Sequence, residues 1–108
     1  MIYVDALAQW GKALGYRGEH AEQAERVGAR NDHQWCHLFA DETDSAELHV
    51  FAARLGMHRE WFQGDHYDLT PAKRAKAVKL GAKEVTREES VRIWRGQRRK
   101  PKQMELFK

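Results

Sequence analysis

The sequence has one cysteine, Cys36, among its 108 residues. A single thiol cannot form an internal disulfide, and without a second cysteine there is no thiolate motif for zinc. We therefore expect a protein of the reducing cytoplasm, in which Cys36 is a small buried side chain rather than a nucleophile.

Long apolar runs are also missing. No run approaches the roughly 18 residues that a membrane helix needs, and the N-terminus lacks the charged and then apolar pattern of an export segment. The hydrophobic fraction of 42% and the charged fraction of 32% are typical of a globular protein, and 108 residues suffice for one domain. The composition predicts a cytoplasmic protein without a membrane partner.

The positive charge is concentrated at one end of the chain. Residues 1–89 contain 12 Lys/Arg and 15 Asp/Glu, a net charge of −3, whereas residues 90–108 contain 7 Lys/Arg and one acidic residue, a net charge of +6. We therefore divide the chain into a domain at residues 1–97 and an extended basic tail at residues 98–108. Such a tail either attracts a polyanion or an acidic protein surface, or serves only as a solvating segment.

Short apolar stretches alternate with helical patterns along the domain. Strands are predicted at Met1–Asp5, Trp35–Ala40, about His58–Gln63 and Lys83–Val85. Helices are predicted over Ala6–Leu14, from Asp44 or Ser45 to Leu55, from Thr70-Pro71 to Gly81, and after the capping box Thr86–Glu89. The order predicts an α/β fold, with a mixed or partly parallel sheet of about four strands and helices packed on it.

Two local features accompany this prediction. The helix after residue 44 is expected to be capped by Asp44, with Glu47 reaching back and Gly56 supplying a left-handed stop. The polar, alanine-rich stretch Glu19–Arg30 is either a solvated helix or a mobile loop.

Polar residues gather at the predicted strand ends and helix starts, where open α/β sheets usually place their sites. They are Asp5, His37, Asp41, His49, His66, Tyr67 and Asp68. Imidazole with carboxylate is the combination that holds a divalent metal or transfers protons near neutral pH. Each residue also has a structural alternative, with His37 and His49 at the edge of the core and Asp68 in a turn.

An ordered string of motifs resembles a small bacterial and phage family known only as a domain of unknown function with a His-Tyr-Asp signature. The motifs are Trp35–Asp41, Glu47–His49, Phe51–Gly56, Trp61–Gln63, His66–Arg74 and Leu80–Ala82, and the resemblance covers about Met1 to Thr86. It implies that His37, Asp41, His49, His66 and Asp68 form one catalytic site, with Lys73 and Arg74 as anion contacts. For a divalent metal, the implied ligands are His37, Asp41, His66 and Asp68.

The last residues resemble the short peptide by which bacterial polymerases and repair proteins bind the DNA sliding clamp. Gln103, Met104, Leu106 and Phe107 match that peptide and follow a basic spacer that contains Pro101. The resemblance implies that the clamp is the partner, with the basic residues facing DNA or the clamp. The alternative is that these apolar side chains fold back onto the domain.

Three functional hypotheses follow from these observations. The first is a DNA replication or repair accessory protein, including a phage-encoded one, which the tail tethers to the clamp in the bacterial cytoplasm, where it works on DNA or blocks host partners. The second is a small His/Asp-dependent phosphoesterase or nuclease, with or without a metal. The third is a nucleotide or nucleic-acid binding module without catalysis, which uses Lys73, Arg74 and the arginine-rich last helix.

Overall fold

The computed structural model describes residues 1–9, 26 and 34–99 of the chain. Five strands are present in this part: β1 (Ile2–Val4), β2 (Ala8–Gln9), β3 (Gln34–Ala40), β4 (Tyr67–Leu69) and β5 (Lys83–Glu84). The described α-helices are α1 (Ala46–Arg54), α2 (Pro71–Lys79) and α3 (Arg87–Arg99). The predicted α/β class is therefore confirmed.

The sheet is mixed and is built around β3. β1 and β4 pair with β3 in the antiparallel sense, and β5 adds to β1 as the parallel pair. β2 continues the ladder that β1 begins on β3. The longest strand therefore lies at the centre, with short strands on either side of it.

A bulge separates the two halves of this ladder. Val4 pairs with Leu38 and Ala8 pairs with Trp35, so the first segment advances four residues where its partner advances three. Such an extra residue bends the strand and redirects a side chain. Asp5 lies at this point, and its backbone amide donates to the carbonyl of His37 at 3.3 Å.

One face of the sheet carries the hydrophobic core. Because side chains alternate along a strand, Cys36, Leu38 and Ala40 point to the same side of β3, and all three are buried. They pack in one cluster with side chains from both β4 and the first two helices, Tyr67, Leu69, Leu48, Phe51, Ala52 and Ala77. Cys36 is fully buried, as predicted, and burial raises the pKa of its thiol.

The opposite face of the sheet is covered by α3. This helix begins at the predicted capping box, in which Thr86 and Glu89 exchange two side-chain hydrogen bonds of 3.1 Å. Trp94 packs on Phe39, with ring centroids 4.8 Å apart. Gln97 donates a hydrogen bond to the carbonyl of Ala40. The sheet thus lies between α1 and α2 on one side and α3 on the other.

The predicted strand at His58–Gln63 is wrong. Arg59–Trp61 form one turn of 3-10 helix, closed by hydrogen bonds from the Trp61 and Phe62 amides to His58 and Arg59. Its polar residues satisfy their backbone locally and need no sheet partner. The strand in this region is Tyr67–Leu69 instead.

Other boundaries also differ from the sequence prediction. Ser45, not Asp44, caps α1 by accepting from the Leu48 amide at 3.0 Å. α3 runs from Arg87 to Arg99 and includes Gly96, so the helix extends two residues past residue 97, the predicted boundary between the domain and the tail.

The helix predicted over Ala6–Leu14 is wrong where the structure describes it, since Ala8–Gln9 form β2. Residues 10–14 of that prediction, and Glu19–Arg30 apart from Arg26, lie outside the described residues. No helix in the described part of the chain has the length and apolar character to cross a membrane.

Candidate metal centre

His37, His66 and Asp68 come together on the face of the sheet that α3 covers. His37 on β3 pairs directly with Asp68 on β4, and His66 immediately precedes β4. The rings of His37 and His66 meet edge to face, with centroids 4.7 Å apart. One donor atom from each of the three residues lies within 4.8 Å of the others.

Each member of this cluster is held by its own hydrogen-bond partner. The Nδ1 of His37 is 2.7 Å from Asp5 Oδ2, and the Nδ1 of His66 is 2.5 Å from Asp65 Oδ1. The side-chain amide of Gln63 donates to Asp68 Oδ2 at 2.6 Å. Carboxylates that accept from Nδ1 fix each ring and place the metal-binding lone pair on Nε2. This is the arrangement that holds imidazole ligands in metal sites.

Asp5 is the most buried of these supporting groups, with 5% of its surface exposed. Its Oδ1 accepts from the backbone amide of His37 at 2.6 Å, so one carboxylate binds both the backbone and the ring of that residue. The register of β1 provides this position, because Asp5 follows Val4, which pairs with Leu38, and therefore lies opposite His37. The backbone carbonyl of Asp5 accepts a hydrogen bond of 2.8 Å from Nε of Arg74, which connects this part of the strand to α2.

The charge state of His66 follows from its two carboxylate neighbours. Burial disfavours the charged imidazole, but hydrogen bonds and charge from Asp68 and Asp65 outweigh burial and raise the pKa of His66. His66 Nε2 lies 3.2 Å from Asp68 Oδ1. A proton on Nε2 and a metal ion would therefore compete for the same position between the two groups.

Trp94 of α3 forms one wall of the cluster. Its ring centroid lies 5.3 Å from that of His37 and 6.5 Å from that of His66. The side chains of His37, His66 and Asp68 are 15%, 19% and 14% exposed, so the cluster is partly shielded but open to solvent. A small ligand can therefore reach it.

Two imidazoles and one carboxylate form a ligand set suited to zinc, manganese, iron or cobalt. Three protein ligands leave positions for water and substrate, as catalytic metal sites require. A divalent ion with one carboxylate ligand retains a formal charge of +1 over its ligands, which favours an anionic substrate.

Asp41 lies away from the cluster. It follows the end of β3, 4.0 Å from the N-terminal ammonium of Met1, and its hydrogen bond raises the pKa of Tyr3 to about 12. Asp41 lines a separate surface cavity of about 330 Å³ together with Glu42 and Glu47.

His49 lies on the other side of the sheet. Its Nδ1 is 2.8 Å from the hydroxyl of Tyr67, and its Nε2 bonds to Asp44. Since Tyr67 points into the core while Asp68 points to the opposite face, the strand itself separates His49 from the cluster. Of the five residues predicted to share one site, the structure brings together three.

Lys73 and Arg74 bond to neighbouring protein groups. Lys73 Nζ donates to the carbonyl of Leu55 at 2.7 Å, at the end of α1. Besides its bond to Asp5, Arg74 pairs with Glu84 at 2.9 Å. Both side chains connect structural elements on the core side of the molecule.

Gln63, Asp65 and Trp94 also belong to the site, although the sequence predicted no role for them. Asp65 is adjacent to His66 and could have been found as an Asp-His pair. Gln63 and Trp94 carry no signal in the sequence, because only the fold brings them to the cluster. The tail residues Gln103, Met104, Leu106 and Phe107 lie outside the described residues.

The fold and the cluster define a small α/β domain with a candidate two-histidine, one-carboxylate metal site. The family described as "Protein of unknown function (DUF4031)" matches residues 23–97, and the chain belongs to this family. The match includes His37, His66, Asp68 and most of α3, and starts later and ends later than the resemblance predicted. No curated protein matches the chain significantly. No solved structure does so either.

Proposed function

We propose that the protein is a divalent-metal-dependent phosphoesterase whose metal is held by His37, His66 and Asp68. One observation carries the proposal: every one of these groups is oriented by a separate partner, namely Asp5, Asp65 and Gln63. Cross-strand histidines that serve only as packing need no such set of oriented carboxylates and amide.

The chemistry of the site supports hydrolysis of an anionic ester. The bound metal would supply a water of lowered pKa and polarise a phosphoryl oxygen. His37 and His66 would bind through Nε2, because their Nδ1 atoms bond to Asp5 and Asp65. Trp94 would shield one side of the reacting group from water.

Metal binding is the first test of this proposal. We expect the purified full chain to bind one equivalent of cobalt(II) or zinc(II) in calorimetry and to hydrolyse a chromogenic phosphodiester. His66→Gln should lose both properties. His58→Gln is the matched control, because His58 is exposed and stacks on Trp61 instead. Absence of metal binding, or equal loss in both variants, would overturn the proposal.

The sequence of the tail favours a second, compatible proposal. We propose that Gln103, Met104, Leu106 and Phe107 tether the protein to the DNA sliding clamp, making it a replication or repair accessory protein. These residues follow Lys100 and Lys102, which continue the positive charge of Arg98 and Arg99 toward the tail peptide.

Clamp binding can be tested independently of the metal. Leu106→Ala with Phe107→Ala should abolish binding of the full chain to immobilised bacterial clamp. Lys102→Ala with Lys108→Ala, which leaves the apolar anchors in place, should reduce it only through salt-sensitive attraction. Equal binding by the first variant and the unmodified chain would rule out the tether.

A further inference from the structure

α3 carries exposed positive charge on the side of the sheet that also holds the candidate metal centre. The inward side of the helix carries Ser90, Trp94 and Gln97, spaced at i, i+4 and i+7. Arg92 and Arg95 are exposed on the outer side of the helix, two positions before and one position after Trp94. Arg95 is the next residue after Trp94, whose ring contacts both histidines of the centre.

The first turn of α3 is acidic and the rest of the helix is basic, just as the whole chain is acidic before residue 90 and basic after it. The two glutamates of the helix, Glu88 and Glu89, are in the first turn, and Glu89 is engaged in the cap with Thr86. From residue 90 onward the helix contains four arginines and no acidic residue. The positive sign then continues into Lys100 and Lys102 in the sequence.

We infer that the outer surface of α3 binds a polynucleotide and presents one of its phosphodiesters to the centre formed by His37, His66 and Asp68. This inference rests on the proposed phosphoesterase function and names its substrate class. Residues three apart on a helix have Cβ atoms about 5 to 6 Å apart, so Arg92 and Arg95 can contact neighbouring phosphates of one strand. Arginine binds phosphate oxygens through paired donors.

The extent of the basic surface favours a polymer over a small phosphate ester. A small ester needs only the metal and one or two donors, whereas the basic residues extend in the sequence from Arg92 to Lys102. Lys73 and Arg74, the anion contacts implied by the resemblance, bond to Leu55, Asp5 and Glu84 instead. We therefore assign anion binding on this side of the sheet to the exposed Arg92 and Arg95 of α3.

The test compares two charge-matched double variants of the full chain. Arg92→Gln with Arg95→Gln removes two positive charges from α3, and Lys76→Gln with Lys79→Gln removes two exposed charges from α2. α2 lies on the opposite side of the sheet. Binding of a fluorescein-labelled 20-nucleotide strand is measured by anisotropy in EDTA over a range of salt concentrations.

We expect the arginine variant to bind at least ten-fold more weakly and to lose about 1.4 from the slope of log K against log salt, at about 0.7 per phosphate contact for a single strand. The lysine variant should stay within two-fold of the unmodified chain. Equal weakening in both variants, or none in the arginine variant, would overturn the inference. Competition by inorganic phosphate as effective as that by unlabelled strand would indicate a small-phosphate site and would also overturn it.

A second readout separates this inference from the proposed function. With metal added, the arginine variant should hydrolyse a small chromogenic phosphodiester at the rate of the unmodified chain, but should cleave the oligonucleotide with a raised KM. If the chain binds no metal while the salt slopes still differ, the phosphoesterase proposal fails and the polynucleotide surface stands. If the small diester is hydrolysed but the arginine variant and the unmodified chain have equal salt slopes, the polynucleotide surface on α3 is refuted and the phosphoesterase proposal stands.

Discussion

Asp5 and His37 are joined by two hydrogen bonds, one to the backbone amide of His37 at 2.6 Å and one to its Nδ1 at 2.7 Å. A single buried carboxylate therefore fixes both the strand and the ring at the bulge. The position of Nε2 of His37 in the centre depends on this pair.

Asp5→Asn should weaken metal binding without unfolding the protein. The amide fills the same space, and its oxygen can still accept from the backbone, but its NH2 group donates to Nδ1 and moves the ring proton to Nε2. We expect a loss of about 10- to 100-fold in metal affinity, measured by competition with a chromophoric chelator. Glu84→Gln, which alters a carboxylate on the far side of Arg74, is the control and should bind normally. Unchanged affinity in Asp5→Asn would contradict the role of Asp5.

Metal affinity should fall as the pH is lowered through the raised pKa of His66. The proton shared with Asp68 competes with the metal for Nε2, and binding releases it. Asp65→Asn removes one of the groups that raise this pKa, so the loss of affinity should move to lower pH. NMR titration of His66 in the metal-free protein provides the check, and an identical midpoint in both proteins would refute it.

The same proton contributes to the stability of the metal-free protein. Because the folded-state pKa of His66 is raised above the ordinary value of 6.5, its contribution is complete below that value. It is lost as the pH rises through the folded-state pKa. Urea unfolding across this range, with His66→Gln as the reference, should show the difference in free energy of unfolding shrinking at high pH.

Thr86→Ala should destabilise the protein by about 1 kcal/mol, because α3 loses its N-cap. Thr86→Ser keeps the hydroxyl and should lose much less. The backbone and side-chain hydrogen bonds of Thr86 also lower the pKa of Glu89. The stabilisation by the charged glutamate is therefore present above pH 4.5 and lost as the pH falls through the lowered pKa. Urea unfolding gives both results, and equal stability of the alanine and serine variants would argue against the cap.

Lys73→Met should destabilise the protein by about 1 kcal/mol, since the Leu55 carbonyl at the end of α1 loses a charged donor. The matched control is Lys76→Met, on the same helix but exposed. Neither change should alter oligonucleotide binding. A large loss of binding in Lys73→Met alone would restore the role of Lys73 as an anion contact.

Much of the fold could be predicted from local patterns. The β-branched N-terminus, the apolar run at Trp35–Ala40 and the caps at Thr70 and Thr86 all formed the expected elements. Strand propensity and helix caps are determined by residues that are close together in the sequence. The strand Tyr67–Leu69 was missed because three residues with a central aspartate give no pattern of their own, and only pairing with β3 makes them a strand.

The candidate site was predicted in its residue types but not in its grouping. His37, His66 and Asp68 were identified, yet their proximity depends on the register between β3 and β4, which the sequence did not reveal. The family resemblance implied that His49 and Asp41 share one site with them. His49 is excluded from the cluster because side chains alternate along β4. Tyr67, to which His49 is hydrogen-bonded, therefore lies on the opposite face of the sheet from Asp68.

Because of the bulge between Val4 and Ala8, the register of β2 on β3 depends on the number of residues in this short segment. Deleting one residue after Asp5 would move β2 by one position along β3 and turn its side chains to the other face of the sheet, while Asp5, which follows Val4 directly, would stay opposite His37. Substitutions at exposed Ala6 or Leu7 leave that register intact. Related chains that keep β2 in this register on β3 should therefore vary in the residues of this segment while keeping their number constant.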